Sequence, residues 1–201
     1  MTLENKNIVL GVCGGIAAYK SCDIIRRLVR LKANVECILT KGGSKFVTPL
    51  TLQTLSKNKV CTSMFDTLDT CTWSINHISL AKKADMIIIV PATADIIARL
   101  TCGRSDDLLA CTVLASKAKV LICPAMNSNM FNHKATQTNI ETLKSYGYKF
   151  IMPEKGILAC GDSGDGKLAK IDAIVSAVEE ELQVMPKNHI SNFVRTNERI
   201  H

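Results

Sequence analysis

The chain has 201 residues, 47% of them hydrophobic and 21% charged, which suits one globular domain with a substantial core. No apolar run approaches the length of a membrane span, and the opening residues Met1–Asn7 lack a secretory pattern, so neither a membrane protein nor an exported one is expected. The formal charge of +7 is scattered along the chain, and with only 4% aromatic residues it lends nucleic-acid binding little support.

The first element is an apolar run, Ile8-Val9-Leu10-Gly11-Val12, with no polar alternation. That pattern predicts a strand buried on both faces of a parallel sheet. It breaks at Gly14-Gly15 and resumes as a helical pattern through Ile24, Ile25, Leu28 and Leu31. A strand, a glycine turn and a helix start either form an anion site, because the first N–H groups of a helix have no partner within it, or make a tight turn with no ligand. A second strand, Val35–Thr40, ends in Thr40-Lys41-Gly42-Gly43-Ser44. A dinucleotide site would want an acid there for the ribose hydroxyls, and the first loop also misses the Gly-x-Gly-x-x-Gly spacing. Hydroxyls, a lysine and glycines suit a phosphate monoester instead.

Further along, Phe46–Leu55 reads as a helix with Pro49 inside its first turns, and Val60–Phe65 as a short strand. Asp66–Ser74 is loop-like. His77 stands near the start of a short helix, where a surface or capping role competes with general acid–base chemistry. Met86–Val90 is the clearest buried strand and runs into Pro91-Ala92-Thr93-Ala94-Asp95 before a helix from Ile96. Asp106 and Asp107 open the next helix, where acids suit the first turn. Lys119–Cys123 is a strand ending in Pro124-Ala125-Met126-Asn127. Asn127 either caps the helix Ser128–Ser145 or meets a carboxylate or amide ligand. Tyr148–Met152 reads as a sixth strand.

The stretch Lys155–Lys167 is rich in glycine and reads as a lid loop, with Cys160 as its reactive group. It contains Gly161-x4-Gly166-Lys167, close to a nucleotide-hydrolase phosphate loop, but Leu168 replaces the Mg²⁺-binding hydroxyl and no strand precedes it. Ile171–Leu182 closes the domain as a helix. Pro186–His201 is a polar tail, expected to be disordered. The pattern is that of a single α/β domain over residues 1–185, a three-layer doubly wound parallel sheet of Rossmann-like or flavodoxin-like type. The nine cysteines are odd in number and form no Cys-x-x-Cys pair, which points to reduced thiols in a cytoplasmic protein. The four histidines show no ligand spacing, so no metal is expected.

Six pieces recur in order: Gly14-Gly15-Ile16-Ala17, His77-Ile78-x-Leu80, Pro91-Ala92-Thr93-Ala94, Asp106-Asp107-Leu108-Leu109, Pro124-Ala125-Met126-Asn127 and Leu158-Ala159-Cys160-Gly161. As a set, spanning Lys6 to Gln183, they resemble the cysteine-decarboxylating flavoproteins. Members of that family decarboxylate 4′-phosphopantothenoylcysteine in coenzyme A synthesis. The resemblance implies FMN, with its phosphate at Gly14, Gly15, Ile16, Thr40 and Ser44 and its ring against Thr93, Ala94, Asp95, Ile96 and Ala125. It implies His77 and Cys160 as catalytic residues, Cys160 as the proton donor. It implies Asn127 as the grip on the substrate carboxylate and Ile157, Leu158 and Ala159 as a substrate clamp. The family usually has Asn where this chain has Asp95, and a carboxylate there would disfavour an anionic reduced ring. The implied assembly is a homotrimer or homododecamer with no nucleic-acid or membrane partner.

The chemistry accounts for these residue types. Direct loss of CO₂ from a cysteine carboxylate leaves an unstabilised carbanion, whereas oxidising the thiol to a thioaldehyde first supplies an electron sink. Three other activities use related chains: decarboxylation of a C-terminal peptidyl cysteine, transfer of a prenyl group to flavin, and non-catalytic regulation of a partner. The Leu-Ala-Cys-Gly clamp argues against the first, Pro-Ala-Met-Asn and His77 against the second, and His77 together with Asn127 in one chain against the third. In many bacteria the decarboxylase is fused to a ligase that makes its substrate.

Overall fold

A computed structural model describes residues 2–64, 76–157, 159, 161 and 163–183. Leu158, Cys160, the expected loop 66–74 and the expected tail 186–201 lie outside the described residues. Six strands, β1 (Asn7–Val12), β2 (Asn34–Leu39), β3 (Val60–Cys61), β4 (Met86–Ala92), β5 (Lys119–Pro124) and β6 (Lys149–Phe150), form a parallel sheet in the order β3-β2-β1-β4-β5-β6. That is the Rossmann rather than the flavodoxin order, and it reverses between β1 and β4. The helices are α1 (Ser21–Arg30), α2 (Pro49–Ser56), α3 (Asn76–Lys83), α4 (Ala94–Thr101), α5 (Leu108–Ala115), α6 (Ser128–Asn132), α7 (Lys134–Ser145) and α8 (Ile171–Gln183).

Strand side chains alternate between two cores. Ile8, Leu10, Val12, Met86, Ile88 and Val90 pack with Ile24, Ile25 and Leu28 of α1, Leu52 of α2 and Ile174 and Val178 of α8. Val9, Ile87, Ile89, Val120 and Ile122 pack with Leu80 of α3, Ile97 of α4, Leu109 of α5 and Ile140 of α7. Both sheet faces are therefore covered, which is why the central strands carry apolar residues at odd and even positions alike. Helix α1 shows the complementary logic, with Ile24, Ile25 and Leu28 inward and Asp23, Arg26 and Arg30 on its outer side.

Several expected elements change at their ends. The helix expected from Phe46 starts at Pro49, with the Thr48 side chain accepting from the Thr51 N–H at 3.2 Å; Pro49 is the first helical residue, where its missing N–H costs nothing. The single helix expected over Ser128–Ser145 is two, because His133 adopts an extended conformation and its Nδ1 accepts from the Ala135 N–H at 3.2 Å. The edge strands β3 and β6 shrink to two residues each. Strand β4 continues through Pro91, whose cis bond to Val90 coincides with a register irregularity, the setting in which a sheet tolerates proline. The expected lid loop is an antiparallel hairpin, β7 (Glu154–Ile157) with β8 (Ser163–Lys167).

Candidate functional site

At the carboxyl edge, beside the reversal of strand order, the loops after β1 and β2 meet backbone to backbone. A Cβ on Gly14 would lie 2.8 Å from both the carbonyl carbon and the Cα of Gly42, so only glycine permits the approach. Thr40 holds the contact: its Oγ1 donates to the Val12 carbonyl at 3.1 Å and accepts from the Gly43 N–H at 3.0 Å. Ser44 Oγ donates to the Lys41 carbonyl at 2.9 Å. Both hydroxyls expected to meet a ligand thus brace the loop. Gly15 caps the 3-10 turn Ile16–Lys20 with no side-chain hydrogen bond, and a Cβ there would meet nothing within 4 Å. An uncapped turn facing open space is what an anion requires.

Across the reversal the side chains take over. The Thr93 side chain accepts from the Ile96 N–H at 3.3 Å and starts α4; that of Asp107 accepts from the Ala110 N–H at 3.0 Å and starts α5; that of Asn127 accepts from the Asn129 N–H at 2.9 Å and starts α6. The Ala125 N–H donates to the Ala92 carbonyl at 3.0 Å, tying the two loops together. Asp95 lies in the first turn of α4, where Arg99 Nε donates to its carboxylate at 2.7 Å. The same guanidinium reaches Asp106, and stands 3.7 Å from Asp107. Arg104 Nη2 and then Arg99 hold the Asp106 carboxyl below its usual range. Between these acids and the ends of β2 and β3 lies a pocket of about 270 Å³, walled by Thr40, Lys41, Thr62, Ser63, Asp106 and Asp107.

His77 sits in the first turn of α3, half-buried, and its Nδ1 is enclosed without a hydrogen-bond partner among the described residues. Buried imidazole nitrogens are ordinarily satisfied, so this atom is exceptional. On the hairpin, Ile157 is 75% exposed and Ala159 is also exposed. Cys13, at the end of β1, is a core thiol whose pKa burial pushes up to about 12, which keeps it protonated and unreactive near neutral pH.

The chain matches the Flavoprotein family over residues 1–183. It belongs to that family. It is 45% identical over 180 residues to the coenzyme A biosynthesis bifunctional protein CoaBC of Haemophilus influenzae, covering 90% of this chain and 44% of that protein. It is 42% identical over 179 residues to the probable phosphopantothenoylcysteine decarboxylase of Streptococcus mutans, covering 88% of this chain and 99% of the other. The chain spans about half the length of the bifunctional relatives it matches. Among solved structures, a mutant PPC decarboxylase complexed with pantothenoylaminoethenethiol superposes with a TM-score of 0.79 at 27% identity, covering 87% of this chain and 97% of that one. The FMN-dependent cysteine decarboxylase SpaF superposes with a TM-score of 0.76 at 26% identity, covering 88% and 97%.

Three features of this flavoprotein were not read from its sequence. The first is Arg99, which gathers acids from two helix starts; an Arg four residues after Asp95 was the available signal. The second is the packing of Gly14 on Gly42, legible only as two glycine pairs. The third is the hairpin, hidden because strands made of glycine and polar residues carry no apolar alternation.

Proposed function

We propose that this flavoprotein is an FMN-dependent phosphopantothenoylcysteine decarboxylase, converting 4′-phosphopantothenoylcysteine to 4′-phosphopantetheine in coenzyme A biosynthesis. One observation carries the reading: the uncapped turn at Gly15–Ile16 and the Asn127 cap share one carboxyl edge, on either side of the strand reversal. The likeness to the full-length Streptococcus mutans relative supports it.

The residues present fit FMN. The open space at Gly15 and the uncapped N–H groups after it suit a phosphate, with Gly14, Gly15 and Ile16 as main-chain donors and Thr40 and Ser44 shaping their loop. Thr93, Ala94, Asp95, Ile96 and Ala125 form the wall for the ring. Bound there, FMN supplies a two-electron acceptor for the substrate thiol, which makes loss of CO₂ feasible.

The remaining work falls to the chain. Asn127 meets the substrate carboxylate through its amide, which suits an anion where a second carboxylate would repel it. His77 accepts the thiol proton on an imidazole nitrogen. Arg99 offsets the charge of Asp95 beside the ring wall, which answers the cost of an acid at that position. Ile157, Leu158 and Ala159 clamp the substrate, and Cys160 returns a proton to carbon. The working assembly is a homotrimer or homododecamer. Exposed Ile16, Tyr19, Phe46 and Leu50 supply apolar surface for a second copy. No helix among the described residues is long and apolar enough to cross a membrane.

The test is to incubate yellow, FMN-loaded protein with phosphopantothenoylcysteine and, separately, with a Cys-terminated peptide, reading CO₂ loss by mass. Turnover of the first substrate is expected. Turnover of the peptide alone moves the activity to peptide modification, and a protein that will not take up FMN sinks the reading altogether.

A further inference from the structure

The hairpin β7–β8 meets the Asn127 loop through glycine. Gly164 pairs with Gly156 and Asp165 with Lys155, but Lys167 pairs with Glu154, so Gly166 is an extra residue bulged out of the ladder. Its φ of +138° is a conformation that side chains disfavour. The bulge turns the Gly166 carbonyl toward the Met126 N–H, which donates to it at 3.0 Å. A Cβ on Gly166 would stand 2.1 Å from the Met126 carbonyl oxygen. On Gly164, two residues earlier, it would stand 2.3 Å from Ser128 Oγ and 2.9 Å from Ser128 Cβ. Met126 and Ser128 flank Asn127. Gly166, which in sequence imitates a phosphate-loop glycine, therefore serves a contact, and its main chain is already engaged in it.

We infer that Gly164 and Gly166 are positioning residues: the bare face of β8 sets how far the strand carrying Ile157 stands from the loop carrying Asn127. This rests on the reading that those two residues hold the substrate. A side chain at either glycine drives the hairpin off the loop and separates the two halves of the grip, while the flavin turn at Gly14–Ile16, on another loop, is untouched.

The experiment uses the full-chain, FMN-loaded protein with Gly164→Ala, Gly166→Ala, Ser128→Gly and the pair Gly164→Ala with Ser128→Gly. Gly164→Ala is expected to raise KM for phosphopantothenoylcysteine about tenfold or more with a smaller change in kcat, since misplacement by about an ångström is costly in a binding site. The Met126 amide should exchange with solvent about tenfold faster, while FMN content and visible spectrum stay as in the parent. Ser128→Gly removes the obstructing atoms, so in the Gly164→Ala background it should restore both KM and exchange. It should not rescue Gly166→Ala, which strikes a backbone carbonyl. A purely structural role would lower Tm with KM intact, and that result overturns the proposal, as does failure of Ser128→Gly to restore KM. If the unsubstituted protein does not turn over this substrate, the functional reading falls and the positioning claim with it, while amide exchange still decides whether the hairpin docks through these glycines. Should Gly166→Ala fail to fold, the Gly164–Ser128 pair decides the matter alone.

Discussion

The two sides of the strand reversal are built from different material. After β1 and β2 the edge is main chain: Gly14 against Gly42, an uncapped turn after Gly15, and hydroxyls of Thr40 and Ser44 turned inward on their own loop. After β4 and β5 the edge is side chain: Thr93 and Asn127 each cap a helix, and Arg99 of α4 reaches acids at the starts of α4 and α5. On the proposed function, the difference follows from what each side would hold. A phosphate is satisfied by several converging N–H groups, which need close backbone approach. A carboxylate beside a redox ring must be placed and its charge balanced, which needs particular functional groups at particular distances.

The sharpest break in this comparison comes on the side-chain half. Asn127→Asp keeps a helix cap but sets two carboxylates against each other, a cost of several kcal/mol. Decarboxylation should fall about a hundredfold or more with FMN content and Tm unchanged; a Tm drop with normal turnover would reduce Asn127 to a cap. Next is Gly14→Ala on the main-chain half. Forcing a Cβ against the Gly42 backbone costs about 1–3 kcal/mol, so FMN affinity should weaken by about 5- to 150-fold in a cofactor titration. Normal affinity would mean the two loops need not touch.

A smaller effect is expected at Arg99. Arg99→Gln leaves the Asp95 carboxylate unbalanced, so the flavin midpoint potential should move to a more negative value, and adding Asp95→Asn should bring it back. Equal potentials in all three proteins would separate Asp95 from the ring. The mildest prediction concerns the core that both halves share. Burial raises the thiol pKa values of Cys13 and Cys37 to about 12, against about 9 when exposed. Between these values the unfolded chain loses thiol protons that the folded one keeps, so stability should decline as pH rises from about 9 toward 12. Denaturant midpoints across that range test the sign, and a flat profile would contradict it.

Much of this was legible locally. Buried runs such as Met86–Val90 announce central strands, and Thr93, Asp107 and Asn127 are residue types that start helices wherever a helix follows. The glycine turn after β1 was readable for the same reason. Illegible were contacts between distant segments: Arg99 with Asp106, Gly14 with Gly42, and Gly166 with Met126. His77 is an intermediate case. Its place near a helix start could be read, but the enclosure of its Nδ1 depends on what packs over α3.

By itself the sequence determined the α/β alternation, the elements' approximate bounds and the chemistry each loop could offer, because apolar periodicity and capping act within a few residues. Tertiary structure alone decided the strand order, the conversion of a glycine-rich stretch into a docked hairpin, and which loops share an edge. Those outcomes depend on steric fit between chain segments far apart in sequence, and a missing Cβ discloses its purpose only when the atom it would have struck is in place.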